Sequence, residues 1–177
     1  MKIAIYGNSR QNAFLPQIAE FLKLLQQNGI EIYMSGHFSD YLLKNDIPQS
    51  WIVLHDFAGT DIDRVISIGG DGTFLRAAQW VGRSQVPILG INTGHLGFLA
   101  SYSLDETDEL IKAILNPVVT VEPRMLLHIE CAGMPDDFWP YALNEVAFMK
   151  SDTSSMLNVR TWIDGHYLAD YLADGLI

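Results

Sequence analysis

The sequence predicts an α/β protein: an N-terminal parallel α/β nucleotide-binding domain followed by an antiparallel, all-β domain. Three observations support this prediction. Short apolar runs alternate with helical apolar periods along the first 117 residues, as in a parallel sheet covered by helices. The apolar run 65–68 leads through a glycine-rich loop into a helical face. After residue 118 the apolar period changes to two. We therefore expect domains at 1–117 and 118–177.

Two strand–helix units are predicted before the glycine-rich loop. Residues 2–6 and 31–34 have the apolar composition of buried strands, and residues 51–54 are a further candidate. The segment 37–45 predicts a short helix. A longer helix after the first strand ends at Asn28-Gly29, since glycine is favoured just beyond a last helical turn. The apolar face of that helix consists of Phe14, Ile18, Phe21, Leu22 and Leu25.

The second half of this domain continues the same alternation. The helix after the glycine-rich loop has Phe74, Ala77, Ala78 and Val81 on one face. Residues 87–91 predict a strand, and 92–99 a second loop at the carboxyl ends of the strands, where α/β proteins usually bind ligands. Ser103-Leu-Asp-Glu106 is a capping box. The helix that it starts ends at Asn116-Pro117 and is expected to bury Leu110, Ile111, Ile114 and Leu115.

The remaining residues predict antiparallel strands. Period-two alternation covers 118–122 and 127–131, and residues 141–149 predict another strand. Asp164-Gly165 suits a type I′ turn, so 159–172 is expected to form a hairpin around it. More strands would be needed to bury a face of this sheet. We therefore expect the second domain to be incomplete and the chain to be part of a longer protein.

Composition excludes several classes of function. The net charge of −10 and the lack of a Lys/Arg cluster argue against nucleic-acid binding. No apolar run approaches the roughly 18–20 residues of a membrane span. A single cysteine, Cys131, is typical of a reducing cytoplasm. The five histidines, at 37, 55, 95, 128 and 166, lack metal-ligand spacing, so no protein metal site is expected.

The glycine-rich loop is the first candidate site. Gly69, Gly70 and Gly72 would let backbone approach a phosphate closely, and Thr73 follows at a helix start whose free N–H groups favour anions. Asp71 within this loop has two interpretations. It makes a turn or caps the helix, or it accepts a proton from a hydroxyl that attacks a phosphoryl group. The loop lacks the Gly-Lys-Ser/Thr of a Walker motif.

Other polar residues are candidates with alternatives. Arg76, one turn into the helix, is either an ordinary surface arginine or a phosphate partner. Asn144-Glu145 lies between apolar residues of a predicted strand, so one of the two should face a buried side. The pair marks a bulge or strand end, or it binds sugar hydroxyls. Tyr167 and Tyr171 are expected in the core or in a subunit contact.

Five motifs appear in the order found in NAD kinases. They are Gly69-Gly-Asp-Gly-Thr73, Gly90-Ile-Asn-Thr-Gly-His-Leu-Gly-Phe-Leu99, Arg124-Met-Leu-Leu127, Asn144-Glu145 and Asp174-Gly-Leu-Ile177. The chain therefore resembles the NAD kinase family over nearly its whole length from residue 64. Lipid kinases and phosphofructokinases share the glycine-aspartate motif. The Leu-Gly-Phe-Leu block together with the later Asn-Glu favours NAD kinase.

The resemblance implies an enzyme that transfers phosphate from ATP, with Mg²⁺ or another divalent metal, to the 2′-hydroxyl of the adenosine ribose of NAD. Asp71 would be the proton acceptor. Gly72 and Phe74 would line the NAD site, Asn144 and Glu145 would hold the adenosine end, and Asp174 would contact the nicotinamide side. A cytoplasmic homo-oligomer, dimer or tetramer, is implied. The predicted NAD-binding residues are Asp71, Gly72, Phe74, Arg76, Asn144, Glu145 and Asp174.

The sequence departs from the family pattern twice. The family often has an Arg just before the Asp-Gly that corresponds to 174–175, where this chain has Leu172-Ala173, so no cationic contact is expected there. The family also continues with a Pro-Thr-Gly-Ser-Thr-Ala-Tyr-like segment that closes the NAD site, so residues 1–177 alone are expected to be weakly active or inactive. Two alternatives remain: a lipid or sugar kinase with the same loop, and an inactive NAD-binding fragment.

Overall fold

The structure, a computed structural model, describes residues 1–57, 59–94, 97–151 and 155–177. The chain divides into two compact units, Met1–Glu122 and Pro123–Ile177. The first contains a parallel sheet with helices, and the second contains only short antiparallel pairs among its described residues. This confirms the predicted fold class.

The first unit is built on a six-stranded sheet in which every pairing is parallel. Its strands are β1 (Lys2–Gly7), β2 (Glu31–Ser35), β3 (Ile52–Leu54), β4 (Arg64–Ile68), β5 (Ile88–Asn92) and β6 (Tyr102–Ser103). Their spatial order is β3-β2-β1-β4-β5-β6. The chain therefore builds outward from β1 to one edge, returns beside β1, and builds outward to the other edge. Such an order creates a switch point between β1 and β4.

In the part of the first unit that the structure describes, four helices accompany this sheet: α1 (Leu15–Gln27), α2 (Gly36–Lys44), α3 (Asp71–Val81) and α4 (Thr107–Leu115). Two 3-10 turns, Asn12–Phe14 and Leu104–Glu106, precede α1 and α4. Proline in the first turn of α1 is favourable because its missing N–H has no helical acceptor there. Gly29, with φ 71°, follows the end of the helix. Of the predicted apolar face of α1, Ile18, Phe21, Leu22 and Leu25 are buried.

The sheet is covered on both faces. In β1, Ile3 and Ile5 belong to the larger apolar cluster, whereas Ala4 between them belongs to the smaller one. In β4, Ile66 belongs to the larger cluster and Val65 to the smaller. Successive strand residues point to opposite faces, so alternation between two clusters means that helices or loops pack on each side. This explains the continuous apolar runs of the central strands.

The predicted capping box is only partly correct. The Ser103 hydroxyl accepts a hydrogen bond from the N–H of Asp105 at 3.2 Å, and it stabilises the 3-10 turn rather than α4 itself. Helix α4 buries Leu110 and Ile114, and Ile111 packs against the core. Leu115 is 41% exposed, so its predicted burial is wrong. It follows Leu110 by five residues, about 140° around the helix and away from the buried stripe.

In its described residues, 123–151 and 155–177, the second unit contains three two-stranded antiparallel sheets. Their strands are β7 (Leu127–His128), β8 (Tyr141–Ala142), β9 (Phe148–Met149), β10 (Leu157–Ile163), β11 (His166–Ala173) and β12 (Gly175–Leu176). β7 pairs with β8, β9 with β12, and β10 with β11. The predicted hairpin is confirmed. Asp164 and Gly165 have φ angles of 50° and 78°, as a type I′ turn requires.

Three strand predictions in this part of the chain are wrong. Residues 118–122, between Pro117 and Pro123, form no strand, because proline lacks the N–H that a ladder needs. The strand predicted at 127–131 is limited to β7. The Ile129 N–H donates to the Pro140 carbonyl at 2.8 Å, but Pro140 has no N–H to donate in return. The strand predicted at 141–149 is interrupted between β8 and β9.

The tyrosines of the hairpin are exposed, so the first of their two predicted places, a core, is wrong, and the second, a subunit contact, stays a prediction. Tyr167 is 57% exposed and Tyr171 39% exposed. The register shifts between Thr161 and Trp162, so Tyr167 lies opposite Trp162 while Tyr171 lies opposite Val159. Trp162 and Val159 are three residues apart and thus on opposite faces of β10. The two tyrosines consequently lie on different faces of the hairpin.

Among the described helices, none combines the length and apolar character needed to cross a membrane.

Candidate functional site

The loops at the carboxyl ends of β1, β4 and β5 meet at the switch point. The Asn8 N–H after β1 donates to the Ile68 carbonyl at the end of β4, at 3.3 Å. The Gln11 side-chain amide donates to the same carbonyl at 2.7 Å. On the other side, the Gly69 N–H donates to the Ile91 carbonyl of β5 at 2.9 Å. The glycine-rich loop therefore leaves the sheet from a point that neighbouring strands hold on both sides.

Glycine is required at the first position of this loop. Gly69 has φ 150°, and a Cβ there would overlap the side chain of Thr73. Thr73 itself is 6% exposed. Gly70 precedes α3, and its carbonyl accepts the N–H groups of Thr73 and Phe74 at 2.8 and 3.2 Å. The first turn thus leaves the N–H groups of Asp71 and Gly72 without an intrahelical acceptor, an arrangement that favours an anion.

Asp71 is held by the loop that follows β5. Its carboxylate accepts hydrogen bonds from the backbone N–H groups of Phe98 at 2.8 Å and Leu99 at 3.1 Å. These bonds lower the pKa of the Asp71 carboxyl below its usual value. Because the folded-state pKa is depressed, the interaction contributes stability above the unfolded-state pKa. That contribution is lost as the pH falls through the folded-state pKa. The carboxylate therefore has both a fixed position and a favoured charge.

The same contact explains a glycine that sequence reasoning left without a role. A Cβ built on Gly97 would overlap the Asp71 carboxylate, so only glycine leaves room for it. Phe98, the next residue, was also missed. Its side chain is 97% exposed although its backbone N–H binds Asp71. An aromatic residue directly after a glycine in a predicted ligand loop was the available signal. His95 and Leu96 of that loop lie outside the described residues.

The two predicted NAD-site residues that follow Asp71 have different environments. Gly72 is exposed, and a Cβ there would meet nothing within 4 Å. Phe74 is half-buried and packs on β5. A Cβ added to Gly90 would lie 3.0 Å from the Phe74 ring and 2.8 Å from the Ala100 Cα. Gly90 thus lets the Phe74 ring and the chain after the second loop approach β5 closely.

A cavity of about 350 Å³ opens at the carboxyl ends of β1, β2 and β3. Sequence reasoning did not predict it, although polar residues follow two of these strands. Arg76, the candidate phosphate partner, lies here. Tyr6 and Trp80 form an aromatic wall, with ring centroids 5.5 Å apart. The lining includes Tyr6, Ser35, His37, His55, Arg76 and Trp80.

The remaining predicted residues belong to the second unit. Asn144 and Glu145 lie in the interruption between β8 and β9, and both are exposed. The expectation that one of them faces a buried side is therefore wrong. The Asp174 carboxylate pairs with the Lys150 ammonium at 2.6 Å, and the Lys150 N–H donates to the Asp174 carbonyl at 3.0 Å. Lys150 thus supplies a cation beside Asp174. The two residues directly before Asp174, Leu172 and Ala173, carry no charge.

No group of three or more His, Cys, Asp or Glu residues able to hold a metal occurs within the part of the chain that the structure describes. Mg²⁺ is commonly held by one or two carboxylates together with the phosphates of a substrate, rather than by an all-protein cage. The carboxylate of Asp71 beside a glycine-rich helix start is compatible with that mode.

A doubly wound parallel sheet carries an anion-favouring helix start and a held carboxylate at its switch point. These features define an α/β protein whose glycine loop has an aspartate and no Walker lysine. The sequence model of the ATP-NAD kinase N-terminal domain matches residues 3–119, and the chain belongs to the NAD kinase family. The resemblance noted in the sequence is thereby confirmed.

Curated relatives agree. The chain is 46% identical over 179 residues to an NAD kinase of Bacteroides fragilis, covering 100% of this chain and 61% of that protein. It is 37% identical to an NAD kinase of Flavobacterium psychrophilum, covering 100% of this chain and 62% of that one. The chain thus spans about three fifths of the length of these relatives.

The fold has a solved counterpart. A crystal structure of yeast NADH kinase complexed with NADH superposes with a TM-score of 0.71 at 18% sequence identity. The match covers 99% of this chain and 56% of the yeast chain. At this level of identity the likeness supports the fold.

Proposed function

We propose that the full-length protein phosphorylates NAD on the 2′-hydroxyl of its adenosine ribose, with ATP and a divalent metal, to give NADP. The observation that carries this proposal is the Asp71 carboxylate, held at the start of α3 inside the glycine loop. It stands in a chain of the NAD kinase family. We further propose a cytoplasmic homo-oligomer, as the resemblance implies.

Asp71 would act as the general base. As the ribose oxygen bonds to the γ-phosphorus, the bond from that phosphorus to the leaving ADP oxygen breaks, and the hydroxyl proton passes to Asp71. A carboxylate with a lowered pKa is a weak base but is fully charged at neutral pH. Phosphoryl transfer has a loose transition state that depends more on positioning and charge than on an early proton transfer. A fixed, charged acceptor suits that reaction.

The other predicted contacts support the same acceptor. Gly72 and Phe74 follow Asp71 in the first turn of α3. Asn144 and Glu145 are exposed and available to ribose hydroxyls or the adenine. Asp174 remains the proposed contact for the nicotinamide side. The divalent metal would be carried by the phosphates of the donor, whose charge it neutralises.

The test is NADP formation from NAD, ATP and Mg²⁺ by the full-length protein, with a lipid acceptor as a control substrate. Asp71→Asn should lower turnover by roughly two to four orders of magnitude, the usual contribution of a general base, and change NAD affinity by only a few-fold. Asp105→Asn is the matched control. It removes an exposed carboxylate outside the site and should leave turnover unchanged.

Gly97→Ala separates the two roles of Asp71. Asparagine offers one acceptor oxygen and loses one of the two loop hydrogen bonds, whereas alanine at 97 keeps the carboxylate but crowds it. If Asp71 is the base, Asp71→Asn reduces turnover far more than Gly97→Ala. Equal losses in both variants would mean that Asp71 only fastens the loop. NADP formation that survives in Asp71→Asn would exclude Asp71 as the base.

A further inference from the structure

The peptide unit that joins Ile68 to Gly69 is held at both of its ends. Its oxygen, the Ile68 carbonyl, accepts hydrogen bonds from the Asn8 N–H at 3.3 Å and from the Gln11 side-chain amide at 2.7 Å. Its N–H, that of Gly69, donates to the Ile91 carbonyl at 2.9 Å. A trans peptide is planar, and its carbonyl and N–H point in opposite directions. Three hydrogen bonds therefore fix the plane from which the glycine-rich loop begins.

The orientation of this peptide plane determines where Asp71 lies. Only Gly69 and Gly70 separate the plane from Asp71. Glycine has the widest choice of backbone angles, so two successive glycines do little to define a direction by themselves. A rotation of the plane would therefore be carried directly to the start of α3 and its aspartate. In phosphoryl transfer such a displacement matters, because catalysis depends chiefly on positioning and charge.

Gln11 makes the one of these three hydrogen bonds that comes from a side chain, and its bond is the shortest of them. The residue is 4% exposed and is itself fixed by its neighbours. Its N–H donates to the Tyr41 hydroxyl at 3.2 Å, and its carbonyl accepts the Phe14 N–H at 2.9 Å. The Tyr41 hydroxyl in turn donates to the Asn12 side-chain oxygen at 2.8 Å. The amide is thus presented to β4 from a rigid support.

The other half of the same amide provides a second observation. Because a carbonyl can only accept, the atom of Gln11 that faces Ile68 is the nitrogen Nε2. The oxygen Oε1 is buried, and none of the described residues donates a hydrogen bond to it. An unpaired buried oxygen costs free energy, and such groups are rare away from functional sites. A methionine of similar size would avoid this cost, so stability alone does not account for glutamine at this position.

We propose that Gln11 is a positioning residue for phosphoryl transfer: by holding the Ile68 carbonyl, it fixes the peptide plane before the glycine-rich loop and thereby the place of Asp71. The proposal rests on the function proposed above. Gln11 acts through the backbone of the loop and is assigned no contact with either substrate. Its removal should consequently slow the reaction of bound substrates and leave their binding nearly unchanged.

The experiment replaces Gln11 by methionine in the full-length protein. Gln11→Met removes the amide donor and the unpaired oxygen together, and the Asn8 N–H still donates to the Ile68 carbonyl. The melting temperature should therefore change by no more than about 4 °C. Turnover, kcat, should fall by about tenfold to a hundredfold through misplacement of the loop, while the KM for NAD stays within about twofold. Hydrogen exchange followed by mass spectrometry should be several-fold faster over residues 69–74.

Gln26→Met is the matched control. Gln26, in the last turn of α1, also donates its amide to a backbone carbonyl at 2.7 Å, that of Ser50. It lies about 16 Å along the helix axis from the first residue of α1, and it should leave both kcat and exchange over 69–74 unchanged. Tyr41→Phe is a milder second variant. It removes the hydroxyl that supports Gln11 and keeps the ring, so it should lower kcat several-fold, less than Gln11→Met does.

A kcat within twofold of wild type in Gln11→Met would overturn the proposal, as would an equal fall in Gln26→Met, which would assign the loss to stability. Should Gln11→Met fail to fold, the same criterion applies to Tyr41→Phe. Hydrogen exchange separates this proposal from the proposed function. If the wild-type protein forms no NADP, the proposed function is refuted. Faster exchange over 69–74 in Gln11→Met would then still support Gln11 as the residue that holds the loop, and unchanged exchange would refute that role too.

Discussion

The two compact units use their apolar side chains in different ways. In residues 1–122 the sheet and its helices bury large side chains completely, as with Phe21 and Ile3 at 0% exposure. In the second unit, none of residues 123–151 and 155–177 is buried, and Trp162 and Phe148 are 55% and 50% exposed. The first unit is therefore organised by burial on both faces of a sheet. The second is organised by backbone pairing within short antiparallel ladders.

This difference separates two kinds of stability. Burial contributes roughly 25 cal/mol per Å² of apolar surface and depends on residues far apart in the chain. A hairpin depends on its turn and on cross-strand pairs nearby in sequence. Substitutions of the same chemical type should thus have unequal effects in the two units wherever burial matters, and equal effects where only local backbone conformation matters.

The largest difference is expected for phenylalanine. Phe21→Ala leaves a cavity in the main cluster of the first unit and should cost about 3–5 kcal/mol of unfolding free energy. Phe148→Ala removes a half-exposed ring from β9 and should cost less than about 1 kcal/mol. Urea denaturation of the full-length protein, followed by circular dichroism, measures both. Equal costs would mean that Phe148 is buried in the full-length protein and would break the comparison.

A smaller difference is expected for a pair of arginines. Arg64 at the start of β4 donates to the carbonyls of Ile114 and Asn116 at 2.7 Å each, at the end of α4. Arg160 forms a two-pronged ion pair with Asp170 on the exposed hairpin. Arg64→Met leaves helix-terminal carbonyls without a donor and should cost about 1–3 kcal/mol. Arg160→Met should leave the melting temperature nearly unchanged, since exposed ion pairs contribute little.

Salt provides the check on this second prediction. The cost of Arg64→Met, measured by thermal melts, should persist at high ionic strength because half-buried hydrogen bonds are weakly screened. Any effect of Arg160→Met should disappear there. An Arg160→Met variant that loses as much stability as Arg64→Met would show that the hairpin ion pair is more important than its exposure indicates.

The same distinction explains how much of the fold the sequence predicts. Strands β1, β2, β4 and β5 and helices α1 to α3 have apolar periods set by burial, and these periods are visible in the sequence. The hairpin is visible through Asp164-Gly165, because its turn is local. The interruption at 143–147 is not visible, since it depends on which strand pairs with each end. Pro140 ends the β7–β8 ladder, but the sequence does not show that these two strands pair, so this role of Pro140 could not be predicted.

The candidate site is predictable to a similar extent. The glycine loop and Asp71 are adjacent in sequence, so a pattern identifies them. The partners of Asp71, Phe98 and Leu99, come from 27 and 28 residues further along the chain. Only the β4–β5 pairing brings them together. The cavity around Arg76 is still less visible, because its lining comes from the ends of three strands and from two helices, α2 and α3.

The smallest predicted effects are local, and for them the two units should behave alike. Gly29, after α1, and Gly165, in the hairpin turn, have φ angles of 71° and 78°, and a Cβ at either would meet nothing within 4 Å. Replacement of either by alanine should therefore cost only the strain of the left-handed conformation, about 1–2 kcal/mol of unfolding free energy.

Gly72, in the first turn of α3, has open space and no positive φ. Gly72→Ala should instead stabilise the fold by roughly 0.5–1 kcal/mol, because alanine loses less backbone entropy on folding. Urea denaturation of the three variants measures this set. A Gly165→Ala cost well below that of Gly29→Ala would show that the hairpin turn relaxes where the helix end does not, so that the two units differ in backbone rigidity as well as in burial.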